Sequence, residues 1–117
     1  MVKTKENENS KWSDWLKFPD PDKNEYLYAP FGTGLYELRN IKTKELVLFG
    51  TGKNVAFRMT SLLPTPLGEG TRKNEEKRLY VLNHLKDIEY RTLAIDIIKA
   101  KEIEREMKSF KNHIFNT

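Results

Sequence analysis

Cysteine is absent from this chain of 117 residues, and histidine occurs only twice, at His84 and His113. The first absence excludes disulfide staples, thiolate nucleophiles and cysteine-based zinc sites. Two isolated histidines argue against a protein-only zinc site as well, since such sites need three or four ligands brought together. No apolar run approaches the roughly eighteen residues that a membrane span requires, so no membrane partner is expected. Met1 to Ser10 is polar and lacks the apolar stretch of a secretory signal. A cytoplasmic location is therefore the expectation.

Hydrophobic residues make up 38% of the chain and charged residues 32%. That balance suits a single soluble domain with a modest core and a heavily charged surface. Formal net charge is +4, unevenly spread. Residues 1–31 carry five Lys against six Asp/Glu, a sum of −1, whereas residues 32–117 carry sixteen Lys/Arg against eleven Asp/Glu, a sum of +5. The basic excess thus falls on the segment expected to fold, as a phosphate-binding surface requires, although a soluble mixed-charge surface has the same composition.

Residues 1–31 read as a flexible or irregular extension and 32–117 as the domain. Within the extension, Trp12, Trp15, Leu16 and Phe18 form an apolar cluster that covers exposed core or offers a stacking platform for bases. The domain reads as an α/β (α+β) fold, a small three-stranded antiparallel sheet flanked by helices in the order β-β-α-α-β-α. In Gly34–Asn40, Leu35, Glu37 and Arg39 alternate with Tyr36 and Leu38, and a polar turn through Ile41–Lys44 leads to a second strand, Glu45–Phe49, so the two read as an antiparallel hairpin. Asn54 caps a helix lined by Val55, Met59, Leu62 and Leu63 and stopped by Pro64 and Pro66. The loop to Lys73 holds two Pro and two Gly. A second helix follows from Asn74 to Lys86 with Leu79, Leu82 and Leu85 inward. Ile88–Ile95 is a β-rich strand, and Asp96 caps a last helix running to Phe110.

At about 100° per residue, Ile97, Ala100, Ile103, Met107 and Phe110 share one face of that last helix, and Glu104 falls inside the same arc. A carboxylate there is costly to desolvate without a cation, hydrogen bonds or a metal. It is either a functional acid or one half of a structural ion pair, with Lys101 or Lys108 in reach along the helix. Arg58, at the edge of the first helix's apolar stripe, offers a guanidinium suited to bidentate phosphate recognition, or a packed stem with a solvated head.

These residues resemble the GIY-YIG nuclease superfamily. Gly34-Leu35-Tyr36 is similar to the GIY motif, and Leu48-Phe49-Gly50 stands where the YIG motif follows on the second strand. Arg58 lies eight residues after Gly50, at the family's spacing for its arginine. Ala100 and Glu104 match the Ala-x-x-x-Glu pattern of its metal-binding helix, and Asn116 closes His113-Ile114-Phe115-Asn116 where the family has an asparagine. The likeness spans Gly34 to Asn116. Leu48 replaces the YIG tyrosine, and Leu62 replaces a histidine or tyrosine common one turn after the arginine.

The resemblance implies hydrolysis of DNA phosphodiesters with one Mg²⁺ or Mn²⁺. Tyr36, Arg58 and Glu104 would be catalytic, with Glu104 the metal ligand. Tyr36 would position or deprotonate the attacking water, and Arg58 would hold the phosphate and lower the tyrosine's pKa. Lys53, Arg72, Lys73 and Asn116 are the candidate substrate-binding residues. Lys77, Arg78 and Arg91 extend a basic rim with Arg72 and Lys73, unless they are a solvated face. Specificity would need a homodimer or a partner protein. Two other readings stay open, a nucleic-acid-binding module that has lost turnover and an interaction protein with a structural Arg–Glu pair. Gly50-Thr51-Gly52-Lys53 lacks the spacing of a nucleotide-binding P-loop.

Overall fold

The computed structural model describes residues 12–20, 23, 25–63 and 74–116. Strand β1 is Leu16–Lys17, β2 is Gly34–Asn40 and β3 is Glu45–Gly52. Helix α1 is Val55–Thr60 and α2 is Glu75–Asn83; strand β4 is Ile88–Ala94 and helix α3 is Ile97–Phe110. The strands form one antiparallel sheet in the order β1-β4-β2-β3. The α+β class expected from the sequence holds, but the sheet has four strands where three were expected. The fourth is β1, two residues long, with Leu16 opposite Tyr90 on the outer edge of β4. Backbone bonds from Ser13 to Thr92 and from Phe18 to Ile88 fix it there.

Local chemistry accounts for the hairpin and the helix starts. Between β2 and β3, the Asn40 carboxamide accepts from the backbone of Lys42 and Thr43, and Lys44 takes a left-handed φ of 66°. Such an Asx-type turn satisfies the backbone locally and sets the register of the strands it joins. Asn54 Oδ1 accepts from Phe57 N at 3.0 Å, and Asp96 Oδ1 accepts from Lys99 N at 3.0 Å. Both caps expected from the sequence thus form, and each satisfies an orphan donor of a first turn.

Both sheet faces are covered. Along β2, Leu35 and Glu37 point to one side and Tyr36 and Leu38 to the other, as the twofold period of a strand dictates. On the first side, Leu35, Phe49 and Leu93 pack with Ala100 and Met107 of α3. On the second, Leu38, Leu48 and Tyr90 pack with Val55 and Met59 of α1, Val81 of α2, and Phe18. The register between β2 and β3 slips after Leu38, leaving Val47 as the extra residue of a bulge, so that Val47 and Leu48 both enter this second core.

One expectation, the inward stripe of α2, is corrected here. The inward residue of α2 is Val81, fully buried, while Leu79 is 54% exposed. Phe18 is fully buried, and Leu27 and Ala29 pack on the same core. The described part of the N-terminal extension therefore belongs to the globule; residues 1–11 lie outside the described residues. At the other end, backbone bonds from Ile114 to Leu46 and from Phe115 to Val47 lay the C-terminal segment along the free edge of β3. No helix among the described residues is long and apolar enough to cross a membrane.

Candidate active site

Tyr36 pairs across the hairpin with Gly50. A Cβ at Gly50 would lie 2.5 Å from the Tyr36 hydroxyl oxygen, so the phenol rests on the bare backbone of the neighbouring strand. Two residues on, a Cβ at Gly52 would lie 2.6 Å from Cγ of Arg58. These two glycines make room for the tyrosine and the arginine on the α1–α2 side of the sheet. Close approach without a side chain is what only glycine permits.

The charges around the Tyr36 hydroxyl come from distant parts of the chain. Arg58 is exposed on α1, and Glu104 is half-buried on α3; both act electrostatically on this hydroxyl. Burial raises the tyrosine's pKa above 10.0, Arg58 pulls against that, and Glu104 adds to it. The net shift is upward. The expectation that Arg58 would acidify Tyr36 is therefore corrected: desolvation of the phenolate outweighs the guanidinium's field. At neutral pH the phenol keeps its proton and can donate it in a hydrogen bond.

Lys77 joins the same cluster. It is half-buried, and burial lowers its pKa from the ordinary 10.5, with the Arg58 and Lys108 charges acting in the same direction and Glu104 opposing them. Its placement follows from α2, where Lys77 stands one turn before Tyr80 and Val81 on the inward side. Asn74 Nδ2 donates to Ser61 Oγ at 2.7 Å, and Ser61 Oγ donates to the Arg58 carbonyl at 2.9 Å, so the start of α2 is tied to the end of α1. From the sequence Lys77 was one of several rim cations. The available signal was its spacing to Val81, hidden because the leucines of α2 suggested a different inward stripe.

The other expected site residues are placed as follows. Lys53 is exposed between β3 and the α1 cap. Arg72 and Lys73 lie outside the described residues. Asn116 Nδ2 donates to the Lys108 carbonyl at 2.9 Å, tying the C-terminal segment to α3 one turn beyond Glu104. Leu48 and Leu62, at the two departures from the family pattern, are both buried in the core. Arg91 is not on this side at all: its Nη2 lies 2.7 Å from Glu37 Oε1 on the α3 side, and its guanidinium stacks at 4.4 Å on Trp12 and 4.7 Å on Trp15. Trp15 also carries Arg39 at 4.2 Å. The indoles are thus engaged with arginines of the sheet, which matches the covering role.

His113, isolated in sequence, completes a buried network with Glu37. Its Nε2 lies 2.7 Å from Glu37 Oε2, and both side chains are nearly inaccessible. Burial would raise the Glu37 pKa, but hydrogen bonds from His113 and Arg91 outweigh it and hold the carboxyl below the ordinary 4.5. Nothing in the linear sequence couples positions 37 and 113.

Among the described residues no three His, Cys, Asp or Glu side chains gather as a ready-made metal cage. Glu104 offers one hard carboxylate, whose charge acts on Tyr36 and Lys77. Such a donor set fits Mg²⁺ in the manner of phosphate enzymes, where one carboxylate and substrate oxygens share an ion that keeps several waters. Comparisons with family models, with curated proteins and with solved structures return no match to this chain.

Proposed function

We propose that the chain is a metal-dependent endonuclease of GIY-YIG type, hydrolysing phosphodiester bonds in DNA. The observation that supports this reading is that Arg58 of α1 and Glu104 of α3 both act electrostatically on the Tyr36 hydroxyl of β2. Three groups so far apart in sequence share a field only if the fold assembles them. Their types are those that phosphoryl chemistry needs: a hydroxyl to orient water, a guanidinium to bind oxyanions and a carboxylate to hold a hard cation.

In this reading Arg58 binds the non-bridging oxygens of the scissile phosphate and offsets charge that grows there in the transition state. Glu104 would hold Mg²⁺ or Mn²⁺, which when bound would supply Lewis acidity at the phosphate. Tyr36, kept neutral by burial, orients the attacking water through its hydroxyl and does not serve as the resting base. Gly50 and Gly52 leave the tyrosine and arginine in their working positions. Lys53 stands at the margin of the site to meet the flanking backbone, and Asn116 fixes the C-terminal segment behind Glu104. A second copy of the chain or a partner protein would supply sequence preference.

A second reading has its own support. Leu48 and Leu62 add no polar group to the site, and the tyrosine's raised pKa removes the readiest base, as in a binding module that has lost turnover. Supercoiled plasmid with Mg²⁺ or Mn²⁺ separates the two. Nicking that disappears in Glu104→Gln supports the endonuclease; retention of plasmid binding with no nicking under either metal supports the binding module. The phosphodiester reading in either form requires affinity that falls steeply with salt.

A further inference from the structure

Four aromatic side chains stand in solvent on or beside α1 and the segment that leads to it. Tyr26, Tyr28, Phe31 and Phe57 are 70%, 69%, 85% and 72% exposed. Backbone placement explains why. Leu27 and Ala29 pack on the core that α1 and α2 cover, so the intervening Tyr26 and Tyr28 are left outward. Tyr28 N donates to the Tyr90 hydroxyl at 2.8 Å, which anchors the segment over that core. Further on, Ala56 N donates to the Pro30 carbonyl at 2.9 Å and Val55 N to the Gly32 carbonyl at 3.0 Å. Phe31 is thus held between two bonds to the first turn of α1. Phe57 and Arg58 are the next two residues of that helix, and the Arg58 stem rests on Gly52.

Charge decides what such a surface receives. Residues 26–36 carry no charged side chain, and residues 51–63 carry two, Lys53 and Arg58, both positive and both exposed. Bare aromatic rings flanked by cations and free of acids suit a partner that brings flat apolar rings and regular negative charge together. Single-stranded nucleic acid does so, stacking its unpaired bases and offering its phosphates to the cations. Bases paired in a duplex present only their edges in the grooves. Trp12 and Trp15 do not compete for this role, because their rings already carry Arg91 and Arg39. We propose that Phe31 and Phe57 form a stacking platform for unpaired bases beside Arg58, with Tyr26 and Tyr28 extending it, and that the preferred substrate is single-stranded DNA. This rests on the nucleic-acid reading above and narrows its substrate class.

The test is binding of the full chain in EDTA to three labelled probes of equal length: oligothymidylate, an abasic strand with the same phosphates, and a duplex. Oligothymidylate is expected to bind about tenfold or more tighter than either of the others. Phe31→Ala and Phe57→Ala should each weaken oligothymidylate binding about tenfold, within the range for losing one stacked base. They should leave the slope of log affinity against log salt unchanged, since no charge is removed. Lys53→Met should lower that slope by about 0.7, as one phosphate contact on a single strand does. Phe57→Trp should restore the affinity that Phe57→Ala loses. Phe110→Ala, at an exposed ring of α3, controls for the loss of a surface aromatic elsewhere. Both test rings lie in solvent, so the thermal midpoint of each alanine variant should match that of the unaltered chain.

The proposal is overturned if the abasic strand or the duplex binds the unaltered chain as tightly as oligothymidylate, a result that needs no variant. It is also overturned if Phe31→Ala and Phe57→Ala bind oligothymidylate no worse than Phe110→Ala. Self-association of the chain that Phe57→Ala abolishes, without preference for the single strand, would assign these rings to a second copy and overturn it too. Should the platform fail in any of these ways while the unaltered chain nicks plasmid with Mg²⁺ and Glu104→Gln does not, the endonuclease stands without it. If the chain binds no nucleic acid under any condition, both fall.

Discussion

On the α3 side of the sheet, the buried Glu37 carboxylate is matched by Arg91 and His113, and Trp12 and Trp15 close over the arginines. On the α1–α2 side, burial makes the Tyr36 hydroxyl hard to ionise, and the charges of Arg58 on α1 and Glu104 on α3 act on it in opposite directions. In the first network both Glu37 oxygens are taken by partners, while His113 Nδ1 has no hydrogen-bond partner among the described residues. In the second, burial and the Glu104 charge outweigh Arg58 in their effect on the tyrosine. A buried carboxylate held by two specific partners specifies structure, whereas a hydroxyl whose ionisation is pushed by burial and by distant charges is where function is to be sought.

Substitutions on the two sides should therefore report in different measurements. Arg58→Ala should lower the plasmid-nicking rate by about 10²–10³-fold, the scale for losing one donor to a developing oxyanion. Arg58 is exposed, so the stability measured by denaturant unfolding should move by no more than about 0.5 kcal/mol. Glu37→Ala should do the reverse. It strands Arg91 and His113 and should cost about 3 kcal/mol in the same unfolding experiment, while the folded fraction keeps its nicking rate. A Glu37 variant that unfolds no more easily, or an Arg58 variant that loses chiefly stability, would erase the distinction between the faces.

Acidity sharpens the contrast with a smaller effect. The Glu37 pKa is depressed in the folded chain, so its contribution is fully present above the ordinary value of 4.5 and is lost as pH falls through the lower folded value. Acid unfolding below pH 4.5 should thus be shallower in Glu37→Gln than in the unaltered chain. Tyr36 runs the other way. Its raised pKa makes a contribution that is intact below 10.0 and fades as pH rises through the folded value. Burial raises the pKa of Tyr90 in the same direction. In an ultraviolet titration of the phenols, Tyr36→Phe should remove part of the late-ionising signal above pH 10. Smallest of all, Trp15→Leu should cost about 1 kcal/mol through its stacking on Arg39 and Arg91, without altering the nicking rate.

Much of this was legible in the sequence where the controlling physics is local. The hairpin follows from alternation around a polar turn, the starts of α1 and α3 from Asn54 and Asp96, and the inward setting of Glu104 from its spacing to Ala100. Strand β1 was not legible, because two residues have no period to read and their pairing depends on β4, more than seventy positions away. The inward face of α2 was misread because leucine is the commoner core residue, yet tertiary packing selected Tyr80 and Val81 and carried Lys77 in with them. Long-range pairing hid the Glu37–His113 contact in the same way. The rise in the Tyr36 pKa belongs to the same class, since it is set by how deeply the ring is covered and not by which cation stands nearby.

The most direct single measurement is the rate of plasmid nicking in Mg²⁺ by the purified full chain beside its Glu104→Gln variant, which differs by one oxygen-for-nitrogen exchange. Nicking by the unaltered chain, with loss of at least about 10²-fold in the variant and unchanged duplex affinity in EDTA, is the expected result. Equal nicking by the two proteins would contradict the assignment of Tyr36, Arg58 and Glu104 to a phosphodiester-cleaving site.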